Sequence, residues 1–225
     1  EETTLLAGAR PVDPEAHDAY LKGSYHWYKL TREGFDTAEH YFELALEKDP
    51  GYAAAYAGLA GVWTGRQQMG YTAPHEAGPK AKALALEAIA LDDTSAAAHE
   101  ALAGIRTRVD WDWAGAEVEW RRALELDPNR ADTHAFFAHF LVSVGRIDEA
   151  IPHSERAIEL DPFNAMFHGM YSRVLCGARR YDDAISAGRT GLTMNGRGRG
   201  MECPLVARRS EEHTSELQSH VRISY

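Results

Sequence analysis

Apolar residues recur at helical spacing along most of the chain, and the clearest example lies between Arg130 and Pro162. In the first half of this stretch they fall three or four residues apart, at Phe137, Phe140, Leu141 and Val144. A second run with similar spacing follows Gly145, at Ile147, Ala150, Ile151, Ala157, Ile158 and Leu160. Glycine weakens a helix and proline ends one, so the pattern predicts two helices that are joined at Gly145 and stopped by Pro162.

This helical pair repeats along the chain. One 34-residue period runs from Pro128 to Pro162, with Leu-Asp-Pro at both ends and small Ala150 and Ala157 where two helices must approach closely. Five such units are visible, and their predicted ranges are 15–50, 51–93, 94–128, 129–162 and 163–195. Each hairpin has apolar surface on both sides, so we expect it to be stable only when stacked on its neighbours.

The period and its small residues resemble the tetratricopeptide-repeat signature over about Glu15 to Asn195. The resemblance implies an all-α, right-handed superhelical solenoid of about five hairpins, with a concave groove lined by the first helix of each hairpin. It also implies a protein–protein interaction module that binds a peptide or a helix in that groove, and no catalysis by this chain. The predicted partner is therefore a protein or peptide.

Three repeats depart from the pattern. The first helix of the first repeat fits only if its turn is about four residues longer, which places Leu21 and Tyr25 on the core side. The second repeat is nine residues too long, and we expect the insertion to form a loop around Gly65 to Pro79. The last repeat carries Gly188 and Gly191 and has no polar capping helix, so we expect it to fray or to self-associate.

The two ends of the chain lie outside the repeats. Residues 1–14 are expected to form a linker, and Asp13-Pro14-Glu15 resembles a helix start. Residues 196–225 are predicted to be an unstructured tail. Within it, Arg209 to His220 resembles a translated sequencing adapter, so residues 210–225 are expected to be non-native. Because the chain opens on Glu1 rather than Met, we also expect sequence before it.

A narrower resemblance concerns the segments Ala9–Ala16, Tyr20–Gly23, Tyr25–Trp27, Ala53–Leu59 and Asp110–Glu117. They are similar to the C-terminal repeat region of bacterial signalling proteins, which include winged-helix regulators, adenylate-cyclase-like proteins and serine/threonine kinases. This implies the scaffolding or sensory arm of a larger protein. Alternatively, the chain is a non-catalytic fragment of a multidomain kinase or cyclase, or a free-standing assembly adaptor.

Family positions also predict which residues line the groove. These are the second, fifth, ninth and twelfth residues of each repeat: Ala54, Ala57, Gly61 and Thr64; Ala97, Glu100, Gly104 and Thr107; Asp132, Ala135, His139 and Val142; Met166, Gly169, Arg173 and Cys176. We expect Thr64, Glu100, Thr107, Asp132, His139, Val142, Met166 and Arg173 to matter most. Because no repeat has the Lys and Asn that hold a terminal carboxylate in this family, an apolar or backbone-recognised peptide, or a helix, fits better.

The composition of the chain argues against several functional classes of protein. A formal charge of −10 argues against nucleic-acid binding, which needs a basic face. The two cysteines have no metal-site spacing. There is no apolar run long enough to span a membrane, and the cytoplasm is the predicted location. No nucleophile and base pair is visible, so we expect neither catalytic residues nor a cofactor.

The histidines and tryptophans offer candidate chemistry. His99, His134 and His168 occupy the same place in three repeats, and we expect them to pack between helices rather than to bind a metal. Trp63 and Trp120 fall in core register. Trp111 and Trp113, in a turn, either bind a partner or cover the open end of the hairpin. Arg106 and Arg108, with Arg121 and Arg122 on the next helix, are expected to pair with Asp110, Asp112 and Glu117, and an acidic partner is the alternative.

Overall fold

The structure is a computed structural model, and it describes residues 12–195. Over that range the chain folds into ten α-helices and one short π-helical segment, with no strand. The helices belong to two compact units, which divide between Pro128 and Asn129. The predicted all-α fold of about five helical hairpins is thus confirmed. The tail after Asn195 and most of the N-terminal linker lie outside the described residues.

Each unit consists of antiparallel helix pairs. The first unit contains three pairs: α1 (Pro14–Trp27) with α2 (Arg32–Lys48), α3 (Ala53–Gln68) with α4 (Pro74–Leu91), and α5 (Ala96–Ile105) with α6 (Trp113–Leu126). The second unit contains two pairs: α7 (Ala131–Ser143) with α8 (Ile147–Leu160), and α9 (Ala165–Gly177) with α10 (Tyr181–Asn195). Gly145 lies in the turn between α7 and α8 and has a φ of +79°, a conformation that favours glycine. The predicted break between the two helices is therefore at Gly145.

Side-chain caps set several helix starts. Asp13 accepts hydrogen bonds from the amides of Glu15 and Ala16 at 2.8 and 3.1 Å, and Pro14 follows at the first helical position. This confirms the predicted start of α1. Asp112 caps α6 by accepting from the amide of Gly115 at 2.9 Å. Such caps satisfy amides that have no partner inside the helix.

Alanines let the two helices of a hairpin approach closely. In each of the first four hairpins the second helix buries two alanines seven residues apart. These pairs are Ala38 and Ala45, Ala81 and Ala88, Ala116 and Ala123, and Ala150 and Ala157. Each is at most 1% exposed, so a longer side chain at any of them would overpack the hairpin.

The predicted core face of α1 is wrong, and the buried residues lie on the opposite side of the helix. Leu21 and Tyr25 are 53% and 66% exposed, whereas Ala16, Ala19 and Gly23 are buried. The buried three lie three and four residues apart, so they form one narrow stripe of small side chains. Leu21 and Tyr25 are larger apolar residues, but close packing of α1 requires the smaller ones.

The predicted loop around Gly65 to Pro79 is also wrong. α3 continues to Gln68 and α4 begins at Pro74, so the extra residues lengthen both helices. Gly78 and Pro79 lie inside α4, although an interior proline removes a helical hydrogen bond. A Cβ on Gly78 would lie 3.1 Å from Cγ1 of Val109, which shows how closely the added turn packs on the chain after α5.

Residues 12–195 contain no helix that combines the length and the hydropathy of a membrane span.

Candidate functional site

The first helices of each unit lie side by side. In the first unit α3 contacts both α1 and α5, whereas no comparable contact joins the described second helices α2 and α4. Small side chains permit this approach, since Ala57 of α3 packs against Ala97 and Ala98 of α5. In the second unit α7 contacts α9. Each unit therefore has a layer of first helices whose outer surface corresponds to the predicted groove.

We call this surface the groove face of the first unit, and define it by Gly61, Thr64, Glu100, Gly104 and Thr107. Thr64, Glu100 and Thr107 are half-buried there. The hydroxyl of Thr64 donates to the carbonyls of Ala60 and Gly61, at 3.0 Å each. The hydroxyl of Thr107 donates to the carbonyl of Ala103 at 2.8 Å. Both threonines thus use their donors within their own helix.

The groove face of the second unit is defined by Asp132, His139, Val142, Met166 and Arg173. Arg173 is exposed and the other four are half-buried. A Cβ on Gly177 of α9 would lie 3.8 Å from Cγ1 of Val142, so Val142 reaches the neighbouring first helix. All five side chains are at least partly accessible, and a role in binding remains a prediction.

Four of the smaller residues predicted for the groove are buried. One of them, Gly104, lies beneath the side chain of Arg108, and the other three do not line the groove. Ala57, Ala97 and Ala135 are buried, and the first two pack helix against helix. Family position alone misplaces them because α3 and α5 approach so closely that their alanines form the contact. These three alanines are therefore part of the packed interior beneath the groove face.

Two long side chains that the sequence reasoning did not assign to the groove lie over its glycines. Nε1 of Trp27 lies 3.5 Å from the position that a Cβ on Gly61 would occupy. Nη1 of Arg108 lies 3.0 Å from the equivalent position on Gly104. The sequence does contain a signal for this placement, since two repeats have glycine at the ninth place. A glycine leaves space that the side chain of another residue can occupy.

Arg108 belongs to a π-helical segment, Arg106–Asp110, that continues α5. Burial lowers the pKa of the Arg108 guanidinium to about 10, and the negative charge of Glu100 only partly offsets this effect. A π-helical turn inside an α-helix often marks a functional position.

The expected ion pairs around this segment are only partly correct. Arg106 pairs with Asp112 at 4.0 Å, as predicted, and with Glu119 at 3.3 Å. Arg108 does not pair with any of the three predicted carboxylates. Arg121 pairs with Glu117 at 2.7 Å, as predicted, whereas Asp110 is contacted by Lys82 at 2.8 Å.

The three repeated histidines pack between helices, as predicted. Nδ1 of His99 lies 2.6 Å from Oε2 of Glu119, and its Nε2 lies 2.9 Å from the carbonyl of Asp93. Nδ1 of His134 lies 2.9 Å from Nδ1 of His153. His168 is 9% exposed and contacts the carbonyl of Pro162 through Nε2 at 2.9 Å.

The tryptophans differ in their exposure to solvent, and the two in core register are less exposed than Trp111. Trp120 is buried, and Trp63 is half-buried with the ammonium of Lys80 4.0 Å from its ring centre. Trp111 is 68% exposed, so it does not cover the hairpin end. It contacts the half-buried Trp113 edge to face, with 5.8 Å between the rings, and has a left-handed backbone with φ of +56°.

Solved structures share this fold. The chain is similar to TTC0263, a thermophilic TPR protein in Thermus thermophilus, with 16% identity and a TM-score of 0.60 over 86% of this chain and 97% of that one. It is also similar to pilF of Pseudomonas aeruginosa, with 19% identity and a TM-score of 0.53 over 93% and 92% of the two chains. Neither a family model nor a curated protein matches the sequence. The chain has the tetratricopeptide-repeat fold.

Proposed function

We propose that this chain is a protein–protein interaction module, and that its groove faces bind a peptide segment or a helix of a partner. The observation that carries the proposal is the layer of first helices, on which most of the predicted groove residues remain partly accessible in both units. Such a layer offers a continuous surface for an extended or helical partner segment.

The chemistry of the first unit's groove face supports an apolar or backbone-recognised segment. Gly61 and Gly104 add no side chain to this face, and the side chains of Trp27 and Arg108 lie over them. Thr64 and Thr107 satisfy their hydroxyl donors internally, so a partner need not replace those hydrogen bonds when it excludes water. Binding energy would then come mainly from area and shape, with charge adding selectivity.

We further propose that the module is the scaffolding or sensory arm of a larger bacterial signalling protein that acts in the cytoplasm. The support is the similarity of Ala9–Ala16, Tyr25–Trp27 and Asp110–Glu117 to repeat regions of such proteins. Sequencing the gene upstream of Glu1 tests this directly. A winged-helix domain would support it, whereas a kinase or cyclase domain would favour the fragment of a multidomain enzyme.

Affinity selection from a random nonapeptide library tests the groove. The wild-type chain is compared with a blocked variant, Thr64→Arg with Thr107→Arg, which places two long cations on the groove face of the first unit. The matched control is Ala83→Arg with Ala90→Arg, because both alanines are exposed on the second helix α4.

We expect the wild-type chain and the control to enrich the same peptides, and the blocked variant to lose most of that enrichment. Circular dichroism of the three proteins checks that each is folded. Equal enrichment by the blocked and wild-type proteins would contradict a groove in the first unit. The absence of any enriched peptide would contradict the proposed peptide binding as a whole.

A further inference from the structure

Arg108 is the starting point, because its position and charge are unusual for this surface. Glu100, Gly104 and Arg108 follow one another at intervals of four residues, so they fall along one side of α5 and its π-helical continuation. The guanidinium lies over Gly104, with Nη1 3.0 Å from where a Cβ would be. The side chain therefore lies along the groove face instead of extending into solvent.

The neighbouring Arg106 shows what an arginine with a structural role does in the same segment. It contacts Glu119 at 3.3 Å and Asp112 at 4.0 Å, both of which belong to the hairpin's second helix or its cap. Arg106 thus holds α5 and α6 together. Arg108, two residues later, contacts neither carboxylate. Within residues 12–195 it forms no ion pair that links α5 to α6.

Arg108 makes no ion pair within 4.0 Å and no hydrogen bond to any residue of the described part of the chain. Its half-buried guanidinium has nevertheless lost much of its water, which is the cause of its lowered pKa. A charge in such surroundings costs free energy unless an acceptor compensates it. This chain, with a formal charge of −10, places a cation there without pairing it.

We propose that Arg108 receives the side-chain carboxylate of a Glu or Asp residue in the bound peptide. The inference rests on the proposed function, since it concerns the same groove face. Guanidinium and carboxylate match in a two-point hydrogen bond, and partial dehydration strengthens it relative to the same pair in water. The bound segment is therefore an apolar peptide with one acidic residue.

A side-chain carboxylate fits better than a C-terminal one. The fifth and ninth places of this repeat hold Glu100 and Gly104, and neither has a side-chain donor for a terminal carboxylate. A terminal carboxylate would thus find one cation and no supporting amide. An acidic side chain reaches Arg108 while the rest of the peptide continues along the first helices.

Two C-terminally amidated nonapeptide libraries test the inference. They differ only at the central residue, which is Glu in one and Gln in the other, with random residues on both sides. The two are mixed and selected on the full chain, on Arg108→Gln and on a control, Arg122→Gln. Arg122 is an apt control because it is exposed on α6 and pairs with Glu125 at 3.2 Å.

We expect the wild-type chain and Arg122→Gln to enrich Glu peptides about tenfold over Gln peptides, the size of one charge-assisted hydrogen bond. Arg108→Gln should lower that ratio to about one and keep its preference at the other positions. Its midpoint of thermal unfolding should be unchanged or higher, because the buried charge is gone. A clearly lower midpoint would assign Arg108 to the fold and overturn the inference.

The remaining outcomes separate the inference from the proposed function. Peptides enriched by the wild-type chain with equal Glu and Gln content would overturn the role of Arg108 and leave groove binding intact. A free-acid library that outcompetes the amidated one on the wild-type chain, but not on Arg108→Gln, would overturn the choice of a side-chain carboxylate. Selection of no peptide from any library would overturn both proposals.

Discussion

Glycines of the first unit determine how closely its helices pack. Ideal Cβ atoms on Gly23 in α1 and on Gly58 in α3 would each lie 2.7 Å from ring carbons of Phe42 in α2. Phe42 is buried and has little freedom to move away. The absence of two side chains thus matters as much to this core as the presence of the aromatic ring.

A matched pair of substitutions in α3 tests this packing. Gly58→Ala should lower the free energy of unfolding by about 1–3 kcal/mol, because the new methyl overlaps the Phe42 ring. Gly61→Ala, three residues later, should raise it by about 0.5–1 kcal/mol, because its methyl meets nothing closer than 3.5 Å and alanine favours the helix. Urea denaturation of both variants measures the difference. Equal effects would refute the role assigned to Gly58.

The backbone of Trp111 supplies a second prediction. A residue with a Cβ costs about 1 kcal/mol at a φ of +56°, which glycine adopts freely. Trp111→Gly should therefore be about 1 kcal/mol more stable than Trp111→Ala, since both variants lose the exposed ring but only glycine removes the strain. Thermal unfolding of the two proteins compares them directly. An alanine variant at least as stable as the glycine variant would show that this conformation is unstrained.

Single residues were the least predictable part of the chain. Periodicity correctly indicated buried Ala150 and Ala157, because a regular repeat fixes their place in the hairpin. It misplaced Leu21 and Tyr25, because a turn of uncertain length shifts the register and apolar size does not reveal which side packs. Arg108 was missed as a groove residue because its location depends on the π-helical turn.

At the scale of helices, the sequence predicted most elements and failed where tertiary packing overrides local preference. Gly70, Pro74, Gly78 and Pro79 suggested a loop, yet α4 begins at the first of these prolines and continues through the second. Proline at the first helical position is favourable, and contact between Gly78 and Val109 helps to offset the interior proline.

The last helix, α10, should be the least stable element. Gly188 and Gly191 each weaken it by roughly 1 kcal/mol relative to alanine, although a Cβ on Gly191 would lie 2.9 Å from the carbonyl of Ala165. We expect amides of residues 181–193 to exchange with solvent faster than those of residues 147–160 in α8. Native-state hydrogen exchange resolves the two helices. Equal protection would contradict the prediction, and so would slower exchange in α10.

The same helix bears on the expected self-association. Ile185 is buried, and among the described residues of α10 Met194 is the large apolar side chain with substantial exposure, at 40%. Association through α10 remains a prediction. Sedimentation at rising protein concentration tests it, with a Met194→Glu variant expected to lower any association.

At the scale of the whole molecule, the repeat was the most informative feature of the sequence. Five units with the same terminators and small residues specify stacked helical hairpins, because each hairpin needs a neighbour to bury its apolar sides. The choice of partner is not encoded in that repeat. It depends on a few groove-face residues, whose types vary without disturbing the stack.

We propose that the first helices carry the binding surface, and chemical-shift mapping locates that surface. The peptide enriched by the wild-type chain is titrated into isotope-labelled protein, and the amide shifts are mapped by nuclear magnetic resonance. We predict that the perturbed amides lie on first helices, on α3 and α5 for the first unit and on α7 and α9 for the second. Perturbations confined to second helices, or to the turn at Trp111, would contradict the claim.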